Sequence, residues 1–399
     1  MARIVAMLVV MVGLLLGGHF LIFRFFALAV TDPSARLALF ATLAVLSISF
    51  PAAAVLVHTR ANAVTETYYV IAAVWIGLFV NLLLAIGVIR LALFGADLAG
   101  LTVRRDLVVL AGGAAAALAT AVGAWRALHP RLVHHRVALA GLPEAWHGKR
   151  LVQLSDVHLG FVNRQRFAER MVERVNAARP ELVVITGDLV DGMGGNFCDL
   201  LRALDRLQAP RGVYFASGNH ETYNGVKRIR RALAETRIRV LDDQLVDLDG
   251  LRLIGVAYPG LDGDGNHPLL EQLRSERAAN RAGILLFHTP TNFDRSRAVA
   301  PKPDGDVLVD EHFSTYWVPD VSCARARELG IGLQLSGHTH AGQLFPFNLV
   351  ARAIFRGFHY GLHRSGEFQI YISSGTGTWG PPVRLGTRSE IPVFTLQRG

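Results

Sequence analysis

Five short apolar runs in this 399-residue chain each end on side chains that bind metals or carry protons. The last is the plainest: Leu333 and Leu335 lead into Gly337, then His338 and His340 stand two residues apart, with Gly342 close behind. A strand that pushes its final residues out of a sheet, followed by a turn that glycine permits, lets alternate side chains face one way, so two imidazoles can converge on neighbouring ions. An isolated pair of this kind is more often two ordinary packed or surface histidines. Its weight comes from the four earlier places with the same design. RLVQL runs into Asp156 and His158; ELVVIT runs into Gly187, Asp188 and Asp191; GVYFA leads to Gly218, Asn219, His220 and Glu221; GILLF ends in His288.

The elements that must position these groups follow from the spacing. An amphipathic helix is predicted from about Arg164 to Ala178, ended by Pro180, and another from Asp199 to Leu207. Strands alternating with helices indicate a layered α/β domain whose ligands gather at the carboxyl ends of the strands. Ahead of this domain the texture differs. Hydrophobic residues make up 51% of the chain, and most of the excess lies before about residue 128. Four apolar runs there are each long enough to cross a hydrocarbon core of roughly 30 Å. They extend from Ile4 towards Arg24, from Leu37 to Val57 with Pro51 as a kink, from Tyr69 to Ile89, and from Leu107 to Trp125 with a run of Ala and Gly suited to close helix packing. A cleaved signal peptide is the rival reading of the first run. The expected organisation is a transmembrane domain over 1–128, a linker and first strand over 129–149, and the α/β domain over 150–399. Arginines flank the spans on both faces, so the positive-inside rule hardly separates the two orientations, and the lack of an export signal leans the α/β domain to the cytoplasmic side. His19 and Asn81, inside spans, read as helix-packing groups. The net charge of +9 favours anionic partners, either acidic lipid headgroups or phosphorylated substrates, unless the arginines merely flank the spans.

Taken in order, DxH (Asp156, His158), GDxxD (Gly187, Asp188, Asp191), GNHE (Gly218 to Glu221), the strand-end His288 and GHxH (Gly337 to His340) resemble the calcineurin-like metallophosphoesterase superfamily, over roughly Val137 to Leu396. LVQLSDVHLG and SSGTGTWGPPVRLGTRSEI are similar to its bacterial membrane-associated phosphodiesterase branch. The resemblance implies a four-layer α/β/β/α sandwich behind the four-helix transmembrane segment. It implies one metal on Asp156, His158, Asp188 and His340 and a second on Asp188, Asn219, His288 and His338, with Asp188 shared. Two ions about 3.5–4 Å apart can clamp the attacking and leaving oxygens of an in-line phosphoryl displacement, with a hydroxide between them as nucleophile. Asp, Asn and His donors without a thiolate suit Mn²⁺, Fe or Zn²⁺, with Mn²⁺ first, and argue against a structural zinc site. If Asn219 faces a metal, the next side chain of an extended turn diverges, so His220 can face the substrate and protonate the departing oxygen. In the family it pairs with an acid at the position of Asp191, which would raise its pKa and fix its tautomer. Glu221 stands where relatives often carry aspartate and is not expected to touch metal.

Other features are weighed against this centre. GTGTWG at Gly375 to Gly380 matches GxGxxG but runs into Pro381 and Pro382 instead of a helix, so no dinucleotide cofactor is expected. Arg384 is a candidate phosphate contact, as is Arg388, although ordinary surface arginines are as good a reading. The 296–322 insertion mixes acidic and aromatic residues and reads as a lid, an acyl-chain contact or a passive loop. Cys198 and Cys323 have no CxxC partner and read as structural. The expectation is a multi-pass membrane phosphohydrolase, phosphodiesterase or phosphomonoesterase, acting on a phosphate ester that is lipid-borne or a nucleotide-linked lipid, with membrane lipids and no nucleic acid as partners. The alternative is a non-catalytic membrane sensor or scaffold that binds phosphorylated ligands; the complete ligand set speaks against it.

Overall fold

The computed structural model describes residues 2–191, 197–261, 267–276, 281–293, 321 and 323–399. The 296–322 insertion therefore lies outside the described residues except for Val321. The chain divides into two compact units, one of Met1–Arg126 with Gly380–Leu385, the other of Ala127–Trp379 with Gly386–Gly399.

In the first unit, four helices are long and apolar enough to cross a membrane: α1 (Ala2–Phe26), α2 (Pro33–Thr59), α3 (Ala63–Leu98) and α4 (Arg105–Leu128). The Asp32 carboxylate starts α2 by accepting the Ala35 N–H at 2.7 Å, with Pro33 in the first turn where its missing N–H costs nothing. Pro51 lies inside α2 without ending it. A capping box between Asn62 and Thr65 starts α3, which runs for 36 residues. At 1.5 Å per residue that is about 54 Å, well beyond a hydrocarbon core of roughly 30 Å, so the apolar run Tyr69 to Ile89 is only the middle of the helix. Glycines of α4 let its neighbours close in, for a Cβ on Gly112 would overlap Ile89 and one on Gly113 would press on Phe26. The two polar residues named above each bond across helices. Trp75 donates its indole N–H to His19 Nε2 at 3.0 Å, and Asn81 donates to Thr120 Oγ1 at 2.8 Å.

The second unit is built on two mixed six-stranded sheets. One has the order β1 (Arg131–Leu139), β12 (Glu390–Arg398), β2 (Arg150–Leu154), β3 (Leu182–Thr186), β4 (Val213–Ala216) and β5 (Ile238–Val240). The other runs β10 (Gly361–Ser365), β11 (Phe368–Ile372), β9 (Leu333–Ser336), β8 (Gly283–Phe287), β7 (Leu251–Val256) and β6 (Gln244–Leu248). Alternation along the strands explains the layers. Leu182 and Val184 of β3 join Ile284 and Leu286 of β8 and Leu333 and Leu335 of β9 in the core between the sheets. Val183 and Ile185 point the other way, onto Phe167, Met171 and Val175 of α5 (Gln165–Ala177). Leu285 and Phe287 of β8 face Leu269, Leu270 and Leu273 of the Pro268–Glu276 helix. Helix, sheet, sheet and helix thus stack as a sandwich in which β2, β3, β4, β8 and β9 are neighbours whose carboxyl ends carry the five motifs.

Candidate metal centre

Asp156, His158, Asp188, Asn219, His288, His338 and His340 all follow these strand ends, and all are at most 9% exposed. Strand alternation, however, is not what aims them. Asp156, His158, Asp188, His338 and His340 have positive φ, between 48° and 71°, a region that residues with a Cβ rarely occupy. Each strand stops and the backbone turns left-handed, which throws the side chain back over the sheet. His338 and His340 consequently diverge. His338 Nδ1 lies 2.9 Å from Asn219 Oδ1 and 3.2 Å from His288 Nε2, whereas His340 Nε2 lies 3.1 Å from His158 Nε2 and 3.4 Å from Asp156 Oδ1. The GNHE turn is not extended either. Asn219–Tyr223 is a short helix, so Asn219 and His220 separate by the helical rotation between successive residues.

Asp188 stands between the two groups of histidines, its Oδ2 3.3 Å from His288 Nε2 and 3.8 Å from His158 Nε2. Asp156, His158 and His340 form one set of ligand atoms within 4.8 Å of one another, and Asp156, Asp188 and His288 another. These clusters fit a dimetal centre. Two carboxylates, an amide oxygen and four imidazoles bring oxygen and ring-nitrogen atoms together in a buried space, a donor set that divalent cations fit. The tautomers agree. His288 Nδ1 lies 2.8 Å from the Thr186 carbonyl, which can only accept, so Nδ1 carries a proton and Nε2 is the ring atom that faces the cluster.

Without a metal the charges arrange themselves accordingly. Burial opposes a charge on His288, but the Asp188 carboxylate, the hydrogen bond to it and Asp156 together hold its pKa up at about 10. Burial pushes His158 down to about 4 and His338 down to about 3, aided by neighbouring histidines, which leaves both rings neutral. Burial and the charge of Asp188 push Asp156 up to about 6, against the pull of His288. Asp188 stays well below the usual carboxylate range: burial works against it, and the surrounding histidines outweigh burial.

His220 lies at the edge of this cluster, its Nδ1 3.2 Å from Asp191 Oδ1 and its ring 4.6 Å from that of His158. Burial disfavours its charge, yet Asp188 and Asp191 raise it to about 9. Arg384 groups with the helical unit, where its backbone N–H donates to the Gly123 carbonyl at 3.0 Å and its side chain is fully buried.

Several supporting residues escape sequence reasoning. The fully buried Glu221 carboxylate accepts four backbone N–H groups, from Asp188, Leu189, Val190 and Gly218. The signal available was Glu three residues after Gly218, the far half of a capping box. Asn163 donates to the carbonyls of Val157 and His158 and so holds the turn after β2. The GTGTWG loop has a structural part too: Thr376 and Gly377 donate their N–H groups to the carbonyls of Ser155 and Asp156.

A family model of calcineurin-like phosphoesterases matches residues 149–342. An uncharacterized metallophosphoesterase of Campylobacter jejuni is 31% identical over 251 residues, 62% of this chain and 59% of that protein. A transmembrane protein with metallophosphoesterase domain from Danio rerio is 31% identical over 286 residues, 67% of this chain and 58% of that protein. The chain thus spans less than two thirds of the length of these two relatives. An uncharacterized metallophosphoesterase of Aquifex aeolicus is 30% identical over 258 residues, 62% of this chain and 85% of that protein. That last match takes in most of the relative's own length, and the family model reaches from β2 past His340, so the chain belongs to the calcineurin-like metallophosphoesterase family.

Proposed function

We propose that the α/β unit hydrolyses a phosphate ester with two divalent ions. Asp156, His158, Asp188 and His340 would hold one ion and Asp188, Asn219, His288 and His338 the other. The observation that carries this reading is the place of Asp188, whose Oδ2 lies within 4 Å of a histidine from each group. The ions supply Lewis acidity to the phosphoryl oxygens and bring the pKa of water towards neutrality. Oxygen and nitrogen donors without a thiolate favour Mn²⁺, Fe or Zn²⁺, Mn²⁺ first.

The remaining work falls to the chain. His220, oriented by Asp191, whose carboxylate favours its imidazolium form, donates a proton to the departing ester oxygen. The left-handed turns, held by Glu221 and Asn163, fix the carboxylates before any ligand arrives, which limits the reorganisation needed on binding. The reading covers diesters and monoesters alike; the sequence likeness to membrane-associated phosphodiesterases puts diesters first.

The test is turnover of chromogenic phosphodiesters and phosphomonoesters by the full-length protein, with and without added Mn²⁺ and after Asp188→Asn. Activity that requires the metal and disappears in the variant is expected. Metal-loaded protein that turns over no member of a broad ester panel would point to a sensor of phosphorylated ligands.

A further inference from the structure

The helix Phe347–Ile354 begins five residues after Gly342 and buries none of its side chains. Phe347, Leu349 and Val350 are each at least half exposed, and Phe345 just ahead of them is 41% exposed. At 100° per residue, Phe347, Leu349, Val350, Ala353 and Ile354 share a broad apolar face, with Asn348 and Arg352 opposite. The face is built onto the metal-bearing turn. Gly342 has φ +75°, and a Cβ there would overlap Asn348 Cα, so the first helical turn rests directly on the loop that carries His338 and His340. Trp379, 57% exposed, is pinned to the same loop: Gln343 Nε2 donates to its carbonyl at 2.9 Å and accepts its N–H through Oε1 at 3.1 Å. The Trp379 ring lies 6.3 Å from that of His220. An exposed apolar rim therefore adjoins the proton donor and two of the metal-binding histidines.

We infer that this rim, Phe345, Phe347, Leu349, Val350 and Trp379, docks into the surface of a lipid bilayer and presents the metal centre to phosphate esters carried in that bilayer. The substrate half of this inference rests on the phosphohydrolase reading above; the docking half does not. Three observations select a bilayer as the occupant. The same chain carries four helices long and apolar enough to cross one. The rim combines aliphatic side chains with Trp and Phe, the residues that settle at headgroup depth. Arg352 on the polar side of the helix and Arg356 just past its end are exposed and suit anionic headgroups. A short amphipathic helix with its apolar face in the acyl boundary and its arginines among phosphates would keep the centre at the level where a lipid's phosphate lies.

Two measurements on the full-length protein, reconstituted in vesicles of phosphatidylcholine and phosphatidylglycerol, test this. First, a nitroxide on Leu349→Cys should be relaxed efficiently by oxygen and weakly by a water-soluble nickel chelate. Strong relaxation by the chelate, exclusion of both reagents, or dipolar broadening between labelled copies would each overturn the docking, the last by showing a second copy on the rim. Second, the variant Phe347→Ser/Leu349→Ser/Val350→Ser should lose about tenfold in turnover of a vesicle-borne phosphate ester relative to a soluble chromogenic one, since three apolar anchors are gone. An unchanged ratio overturns the substrate assignment. Wild-type protein inactive on both esters defeats the phosphohydrolase reading and, with it, this substrate assignment, while the nitroxide still decides the docking.

Discussion

The Glu221 carboxylate accepts the backbone N–H of Asp188 at 2.9 Å, so the residue between the two groups of histidines is held by an acid whose own oxygens are taken up by main-chain donors. The same carboxylate takes the N–H groups of Leu189 and Gly218, which ties the turn after β3 to the turn after β4. Removing it strands several buried donors, each costing about 1–3 kcal/mol. Glu221→Ala is expected to lower stability by at least about 3 kcal/mol and to weaken metal binding by about 10–100-fold, the usual effect of losing a group that orients a ligand. Denaturant melts and titration calorimetry on the same sample check both. Unaltered metal affinity would show that Asp188 is held by other means.

His288 gives a second expectation. Its pKa of about 10 in the metal-free protein means that a proton sits on Nε2 at neutral pH, on the atom that the proposed centre would offer to a metal. Metal uptake must displace that proton. Between about pH 7 and 9 the apparent affinity should therefore fall about tenfold for each unit of decreasing pH, with one proton released per protein from this site. Near pH 6, where Asp156 also begins to hold a proton, the dependence should steepen. Calorimetry in buffers of different ionisation enthalpy counts the protons. Binding with no proton release would mean that His288 is not a ligand.

The types and order of the site residues were legible in the sequence because the same short apolar run followed by ligand-type residues recurs five times. The layered fold was legible for the same reason, as Val183 and Val184 show by facing opposite cores. What sequence reasoning missed is how the side chains are aimed. Strand alternation predicts that His338 and His340 point together, but their left-handed backbones send them to different partners. Nor does a pattern of apolar residues mark Glu221 or Asn163, whose roles depend on main-chain groups brought close only by folding. The length of α3 was hidden as well, since Thr65, Glu66 and Thr67 resemble loop until capping by Asn62 is seen, and Arg90 breaks the apolar run before the helix ends.

Gly337 shows how little room the turns leave. A Cβ there would overlap Ser155 Oγ and Asp156 Oδ2. Gly337→Ala must displace the carboxylate or the turn itself, and the strain of adding a methyl group to a full site is about 1–3 kcal/mol. The variant is expected to fold, because the clash lies at the end of β9 and outside the three cores, and to bind metal less tightly than the parent. Melting curves with and without Mn²⁺ separate the effects: the stabilisation conferred by metal should shrink more than the metal-free stability. An equal loss in both states would show that the glycine serves the fold alone.

His220 offers the sharpest separation between binding and chemistry. It lies beside the clusters, where burial opposes its charge but Asp188 and Asp191 raise its pKa to about 9 in the metal-free protein. A general acid contributes about 10²–10⁴-fold and matters most when the departing oxygen is basic. His220→Gln should therefore cost about a hundredfold or more in kcat on an alkyl ester and much less on a nitrophenyl ester, with the metal content unchanged. The pH profile should follow. If the donor is the imidazolium, wild-type turnover of the alkyl ester falls as pH rises through the His220 pKa of the metal-loaded enzyme, which lies below the metal-free value because the ions offset the Asp188 charge, and the variant lacks that alkaline limb. Plotting kcat against leaving-group pKa for both proteins is the decisive measurement. Parallel lines would assign His220 to steadying the charged phosphoryl group, and a steeper slope in the variant would assign it to proton transfer.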